Sequence, residues 1–126
     1  MSHFVSIQTQ IRDIKALHGA CSEMGLNLIE NTTARGYGGQ TRPGDYVIRL
    51  RGPYDIALNK QQDGSYGLTT DWWAGHVEKE VGTNYGRLLQ LYAVHKAQIE
   101  ARKKGMTVRR QSLTSGGIKL TIGGVR

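Results

Sequence analysis

Two tryptophans stand side by side in Tyr66-Gly-Leu-Thr-Thr-Asp-Trp-Trp-Ala-Gly-His76, with Asp71 before them and His76 after. An Asp and a His that close in sequence invite an acid–base reading. No Ser or Cys nucleophile signature accompanies them. Successive side chains of an extended segment point to opposite sides, so Trp72 and Trp73 have different surroundings. One fits beneath a helix. The other either lies near the surface, where Trp commonly anchors a partner, or helps its neighbour cover the end of a sheet while Asp71 bonds a nearby backbone N–H.

A second group lies in Thr-Ala-Arg-Gly-Tyr-Gly-Gly-Gln-Thr-Arg-Pro-Gly, residues 33–44. Glycines surround Tyr37, and Arg35 and Arg42 flank it. The segment lacks the Gly-Lys-Ser/Thr ending of a phosphate-binding loop. It resembles a single arginine–glycine–glycine element, in which Arg and an aromatic stack on bases. The structural alternative is a tight loop with Tyr37 packed back on the domain.

The third group is electrostatic. Residues 1–100 hold ten Lys/Arg and ten Asp/Glu, so they cancel. Residues 101–126 hold seven cations (Arg102, Lys103, Lys104, Arg109, Arg110, Lys119, Arg126) and no acid, so the whole +7 belongs there. Such an asymmetry attracts anionic partners. It also suits a helix C-terminus followed by a solvated hairpin.

Other chemistry finds little support. A single cysteine excludes an internal disulfide and a cysteine-based zinc site. Cys21 falls on an apolar helix face, as a core residue does. None of the four histidines pairs with another at the i, i+4 spacing of a helical metal site, so neither metal nor cofactor is expected. The N-terminus lacks the basic and apolar blocks of a signal peptide. No apolar run nears the roughly 20 residues of a membrane span.

The elements that must position these groups follow from periodicity. His3–Gln10 reads as a strand. Asp13 caps a helix bearing Ile14, Leu17, Cys21 and Met24, and Gly25 stops it. Leu26–Thr32 is a second strand, and residues 33–44 are a loop. Residues 46–71 form an antiparallel meander through the Gln61-Gln62-Asp63-Gly64 turn. Thr83 or Asn84 caps a long helix with Tyr85, Leu88, Leu89, Tyr92 and Ile99 on its apolar face, and His95 on its solvated side. Gly105 ends that helix. A terminal hairpin turns at Ser115-Gly116-Gly117, with Ile118, Leu120 and Ile122 toward the core. One domain of 126 residues, in the order strand–helix–strand–meander–helix–hairpin, implies an α+β fold: a single antiparallel sheet with two helices on one face.

The stretches Met-Ser-His-Phe with Ile-Gln-Thr-Gln-Ile-Arg-Asp, Arg-Gly-Tyr-Gly-Gly-Gln, Tyr54-Asp-Ile, Asp71-Trp-Trp and Tyr92-Ala resemble a family of small proteins. It is known as hypothetical chloroplast open reading frame thirty-five, or the domain of unknown function numbered twelve fifty-seven. Members occur in cyanobacteria, some plastid genomes, and assorted bacteria and phages. The resemblance spans nearly the whole chain and is most specific at its N-terminus. It implies no catalytic residues. It implies a cytoplasmic or stromal domain with an accessory role, beside genes for an AAA-type ATPase and a ferredoxin.

Two functions are therefore expected. The first is a non-enzymatic accessory protein that docks on a protein partner or larger assembly. Trp72, Trp73 and the 33–44 loop would make the contact, and the basic hairpin would add attraction. The second is an RNA or other nucleic-acid binder using Arg35, Tyr37 and Arg42 together with Arg109, Arg110 and Lys119.

Overall fold

A computed structural model describes residues 3–125; Met1, Ser2 and Arg126 lie outside the described residues. The fold is α+β. The elements are β1 (Phe4–Gln8), α1 (Ile14–Glu23), β2 (Asn27–Arg35), β3 (Thr41–Arg49), β4 (Ile56–Lys60), β5 (Tyr66–Asp71), α2 (Glu78–Val81), α3 (Gly86–Lys103), β6 (Met106–Ser112) and β7 (Ile118–Val125). Five strands make an antiparallel sheet in the order β1-β5-β4-β3-β2. The expected meander is β3-β4-β5. No helix among the described residues is long and apolar enough to cross a membrane.

Alternation along the strands assigns the two faces of the sheet. Ile48, Ile56, Leu58 and Leu68 enter one large core with Leu17 and Cys21 of α1 and Leu88 and Leu91 of α3. Val47 and Ala57, one residue out of phase, face the other way and bury Ala34 of β2 between the layers. The helices thus cover one face, and part of the β2–β3 hairpin covers the other.

That covering arm corrects the expected loop. Thr41–Gly44 pair with Arg35–Thr32, so the hairpin continues almost to its tip. Pro43 is tolerated because β3 has only β2 as a neighbour at this level. The ladder skips Asn31, which is left-handed at φ 50°. Beyond it the arm doubles back over the sheet, and Asp55 N–H donates to the Arg35 carbonyl at 3.0 Å.

Local chemistry explains the helix ends. Asp13 accepts from the Lys15 and Ala16 N–H groups at 2.9 and 3.2 Å, capping α1. At its other end the Leu26 N–H returns to the Cys21 carbonyl and Gly25 N–H to Ser22, a Schellman closure with Leu26 buried. The long helix starts later than Thr83 or Asn84 would set it. Residues Thr83–Tyr85 form a 3-10 turn, and α3 begins at Gly86 without a side-chain cap. Burial of the Tyr85 ring, edge-on to Trp72 at 4.8 Å, anchors that entry in place of a cap.

The terminal hairpin also departs from expectation. It does not join the main sheet; β6 and β7 form a separate two-stranded ribbon held against α3. Gln90 of α3 donates to the Gly116 carbonyl at 3.0 Å, and Ile118 packs on the core. Leu120 is half-buried, and Ile122, expected inside, is 49% exposed. Only the turn end of this ribbon lies over the core. His95 likewise leaves its expected solvated side and meets Glu23 of α1 at 2.9 Å.

Candidate functional site: an aromatic patch pinned by two buried carboxylates

Of the two tryptophans, Trp72 packs against the core and Trp73 is 47% exposed. Both oxygens of Asp71 make this split. Asp71 is fully buried at the end of β5. Its Oδ1 accepts the Trp73 N–H at 2.9 Å, and its Oδ2 accepts the Tyr37 N–H at 2.9 Å. One carboxylate therefore ties the tryptophan turn to the tip of the arm, which lies 34 residues earlier in sequence. The backbone-bonding alternative for Asp71 is the one observed. His76 packs edge-on against Tyr54 at 5.2 Å.

The tie creates a surface. The Trp73 ring stacks on His3, with centroids 4.9 Å apart, and meets Tyr37 edge-on at 5.4 Å. His3 and Tyr37 close the triangle at 5.4 Å. Tyr37 is 38% exposed. Beside it a hollow of about 480 Å³ is lined by His3, Phe4, Val5, Trp72, Trp73 and Ala74. Arg42 lies 4.3 Å over the Phe4 ring, a cation–π contact at the margin of the patch.

The arm tip is shaped for this approach. A β-carbon at Gly36 would come within 2.3 Å of the Phe4 ring, so only glycine lets the strands cross there. Gly38 and Gly39, at φ 67° and 77°, close the turn around Tyr37.

A second carboxylate anchors the base of the arm. Asp55 is fully buried between the apolar Tyr54 and Ile56. Arg35 donates to it from Nε and Nη2, each at 2.8 Å, and from its backbone N–H at 2.9 Å. Arg49 Nη1 adds a bond at 2.7 Å, and the Leu50 N–H one at 3.1 Å. Burial alone would raise the Asp55 pKa. The hydrogen bonds from Arg35 and Leu50 outweigh burial and hold the carboxyl below its ordinary value. Arg35 Nη2 also donates to the Leu50 and Gly52 carbonyls. The Arg35 guanidinium is thus spent on holding the arm.

The expected basic residues divide between two layers. Arg35, Tyr37 and Arg42 lie on the arm side of the sheet. Arg109, Arg110 and Lys119 lie on the ribbon beyond the helices. Arg110 is bound by Glu23 through two hydrogen bonds of 2.8 and 2.5 Å. That pair, opposed by burial and reinforced by His95, lowers the Glu23 pKa to about 2. Arg109 and Lys119 are exposed. Arg126, the last of the seven cations, is outside the described residues. The six residues expected to contact nucleic acid are thus split between the arm and the ribbon.

His3, Asp55 and the long-range bond of Asp71 to Tyr37 escaped the sequence reading. His3 joins the patch only through strand register. Asp71 and Asp55 act on partners 34 and 20 residues away. The signal for Asp55 was present: a lone carboxylate inside a run of apolar strand residues requires buried donors. Among the described residues, no group of three or more His, Cys, Asp or Glu could hold a metal. Cys21 is buried, and burial pushes its thiol up to about 12.

These features define an α+β protein whose exposed aromatic patch is set by buried carboxylates. The family described as "Protein of unknown function (DUF1257)" matches residues 20–121, and the chain belongs to that family. The matched span contains the arm, both tryptophans and most of the ribbon; His3 and β1 precede it. Neither curated proteins nor solved structures give a match.

Proposed function

We propose that this protein is a small non-enzymatic accessory module that docks on a protein partner or larger assembly through His3, Tyr37 and Trp73. The observation that carries this reading is Trp73, half-exposed, stacked on His3 and met edge-on by Tyr37, rings from two other parts of the chain. Aromatic side chains in such positions dominate binding energy at protein interfaces. Asp71 and Asp55 fix the rings before any partner arrives, so little ordering entropy is lost on association. Val5 and Ile7, exposed along the outer strand β1, extend the apolar surface away from the patch.

The non-enzymatic part of the reading rests on how the reactive groups are used. Asp71 accepts two backbone N–H groups, and the Cys21 thiol is buried and protonated at neutral pH. The resemblance supports a cytoplasmic or stromal module, and makes an AAA-type ATPase and a ferredoxin the first purified partners to try.

Quantitative affinity capture from the native source tests the proposal. The wild-type chain and a Lys15→Ala variant on α1 should recover the same partner in stoichiometric amount. Trp73→Ala should recover it about thirtyfold less well, the equivalent of one 2 kcal/mol hot spot. Equal recovery by a folded Trp73→Ala variant would overturn the proposal.

A further inference from the structure

The ribbon carries a second surface of different chemistry. Its register places Arg109 directly opposite Thr121, and Gln111 directly opposite Lys119. Thr107 and Gly123 form the next pair. Because side chains alternate, these residues share one face. The other face carries Val108, Arg110, Ser112, Ile118, Leu120 and Ile122, and it is the face that meets the helices through Ile118 and the Arg110–Glu23 pair. The outward face therefore holds hydrogen-bonding side chains and two cations. Thr107, Arg109, Gln111, Lys119 and Thr121 are all exposed. A groove of about 340 Å³ is lined by Arg109, Arg110, Gln111, Lys119 and Thr121.

We propose that the β6–β7 ribbon enters the major groove of duplex DNA. The B-form major groove, about 12 Å wide, admits a two-stranded β-ribbon. The outer strands of most sheets cannot be used in this way, because a whole sheet is too broad. This ribbon stands apart from the main sheet. From Thr107 to Gln111 it presents roughly 14 Å of strand, about the rise of four base pairs. Its side chains are those that read base edges: Arg and Lys for guanine, Gln for adenine, Thr for the thymine methyl. Arg102, Lys103 and Lys104, exposed where α3 hands over to β6, are placed to meet the flanking phosphates. Residues 101–126 contain no acid, and among these three cations Lys103 lies 3.6 Å from Glu100 at the end of α3. Charge complementarity alone would also suit an acidic protein, but such a partner makes no use of a narrow polar ribbon. Duplex RNA is disfavoured because its major groove is too deep and narrow for side chains to read. This proposal is independent of protein docking at the aromatic patch, which lies on the opposite layer.

Fluorescence anisotropy with a labelled mixed-sequence DNA duplex of about 20 base pairs, at about 50 mM salt and above, tests the proposal. Duplex RNA and polyglutamate serve as competing probes. The full chain should bind the DNA duplex with a steep salt slope and bind the other two more weakly. An Arg109→Ala/Lys119→Ala double variant should lose about tenfold in affinity together with its preference for guanine-containing duplexes. The milder Arg109→Gln/Lys119→Gln variant should show the same trend if the alanine form proves unstable, and Arg42→Ala on the arm should bind like the wild type. Replacing guanine by 7-deazaguanine removes a major-groove acceptor and should weaken binding. Any one of four results overturns the proposal: no binding at about 50 mM salt, undiminished binding by both double variants, indifference to 7-deazaguanine, or equal affinity for duplex RNA or polyglutamate.

Discussion

The arm and the ribbon are both antiparallel hairpins carrying arginines and glycines, yet they use their cations in opposite ways. In the arm, Arg35 and Arg49 converge on one buried carboxylate, so the charges hold the structure and the aromatics are displayed. In the ribbon, only Arg110 is turned inward to an acid, and Arg109 and Lys119 are left outward on a polar face. A cation in the sequence is available to a partner only where the fold provides no buried acid for it. The aromatic surface and the basic surface are therefore separate, on opposite sides of the sheet–helix sandwich.

The largest break in this comparison comes from Asp55. Asp55→Ala leaves two half-exposed guanidiniums and the Arg35 and Leu50 N–H groups without their shared acceptor, which costs about 3 kcal/mol. The denaturation midpoint should fall by the corresponding amount, and hydrogen exchange should speed up in residues 32–44 well before it does in the ribbon. If the arm stays protected, its anchorage lies elsewhere.

The two tryptophans sharpen the contrast within the patch. Trp72→Ala removes a ring packed on Tyr85 and should cost about 3 kcal/mol. Trp73→Ala loses only its contacts with His3 and Tyr37, about 1 kcal/mol. Chemical denaturation of the two variants side by side distinguishes them, and equal losses would contradict the division of labour set by Asp71.

The ribbon responds less. Glu23→Gln weakens its tie to Arg110 and should cost on the order of 1 kcal/mol or less. The pH dependence has a definite sign. The Glu23 pKa is lowered from 4.5 to about 2 in the folded protein, so its contribution is fully present above about 4.5 and is lost as pH falls toward 2. Amide exchange across residues 106–122 should accelerate in that window in the wild type and lose this step in Glu23→Gln. A step of equal size in both would assign the acid response to another group.

Much of this was legible in the sequence. The Asp13 cap, the Gly25 stop and the three- and four-residue spacing of Leu17, Cys21 and Met24 specify α1 locally. The meander and the ribbon follow from alternation and glycine turns. The arm did not, because Gly36, Gly38, Gly39, Pro43 and Gly44 carry the composition of a loop. These residues continue a hairpin whose course is decided by contacts with Phe4, Asp55 and Asp71, far away in sequence. The same distance hides the fate of Arg35, since nothing near it announces a carboxylate twenty residues later. His95 was misplaced for a related reason: its partner, Glu23, belongs to the other helix. The separate ribbon was missed because alternation tells which residues share a face, but not which sheet they join.

The most direct test of the account is partner capture measured in parallel for Trp73→Ala and for Arg109→Ala/Lys119→Ala. The account predicts that the tryptophan variant loses the protein partner by about thirtyfold, while the ribbon variant recovers it as the wild type does. Full recovery by a folded Trp73→Ala protein, or loss of the partner from the ribbon variant alone, would contradict it.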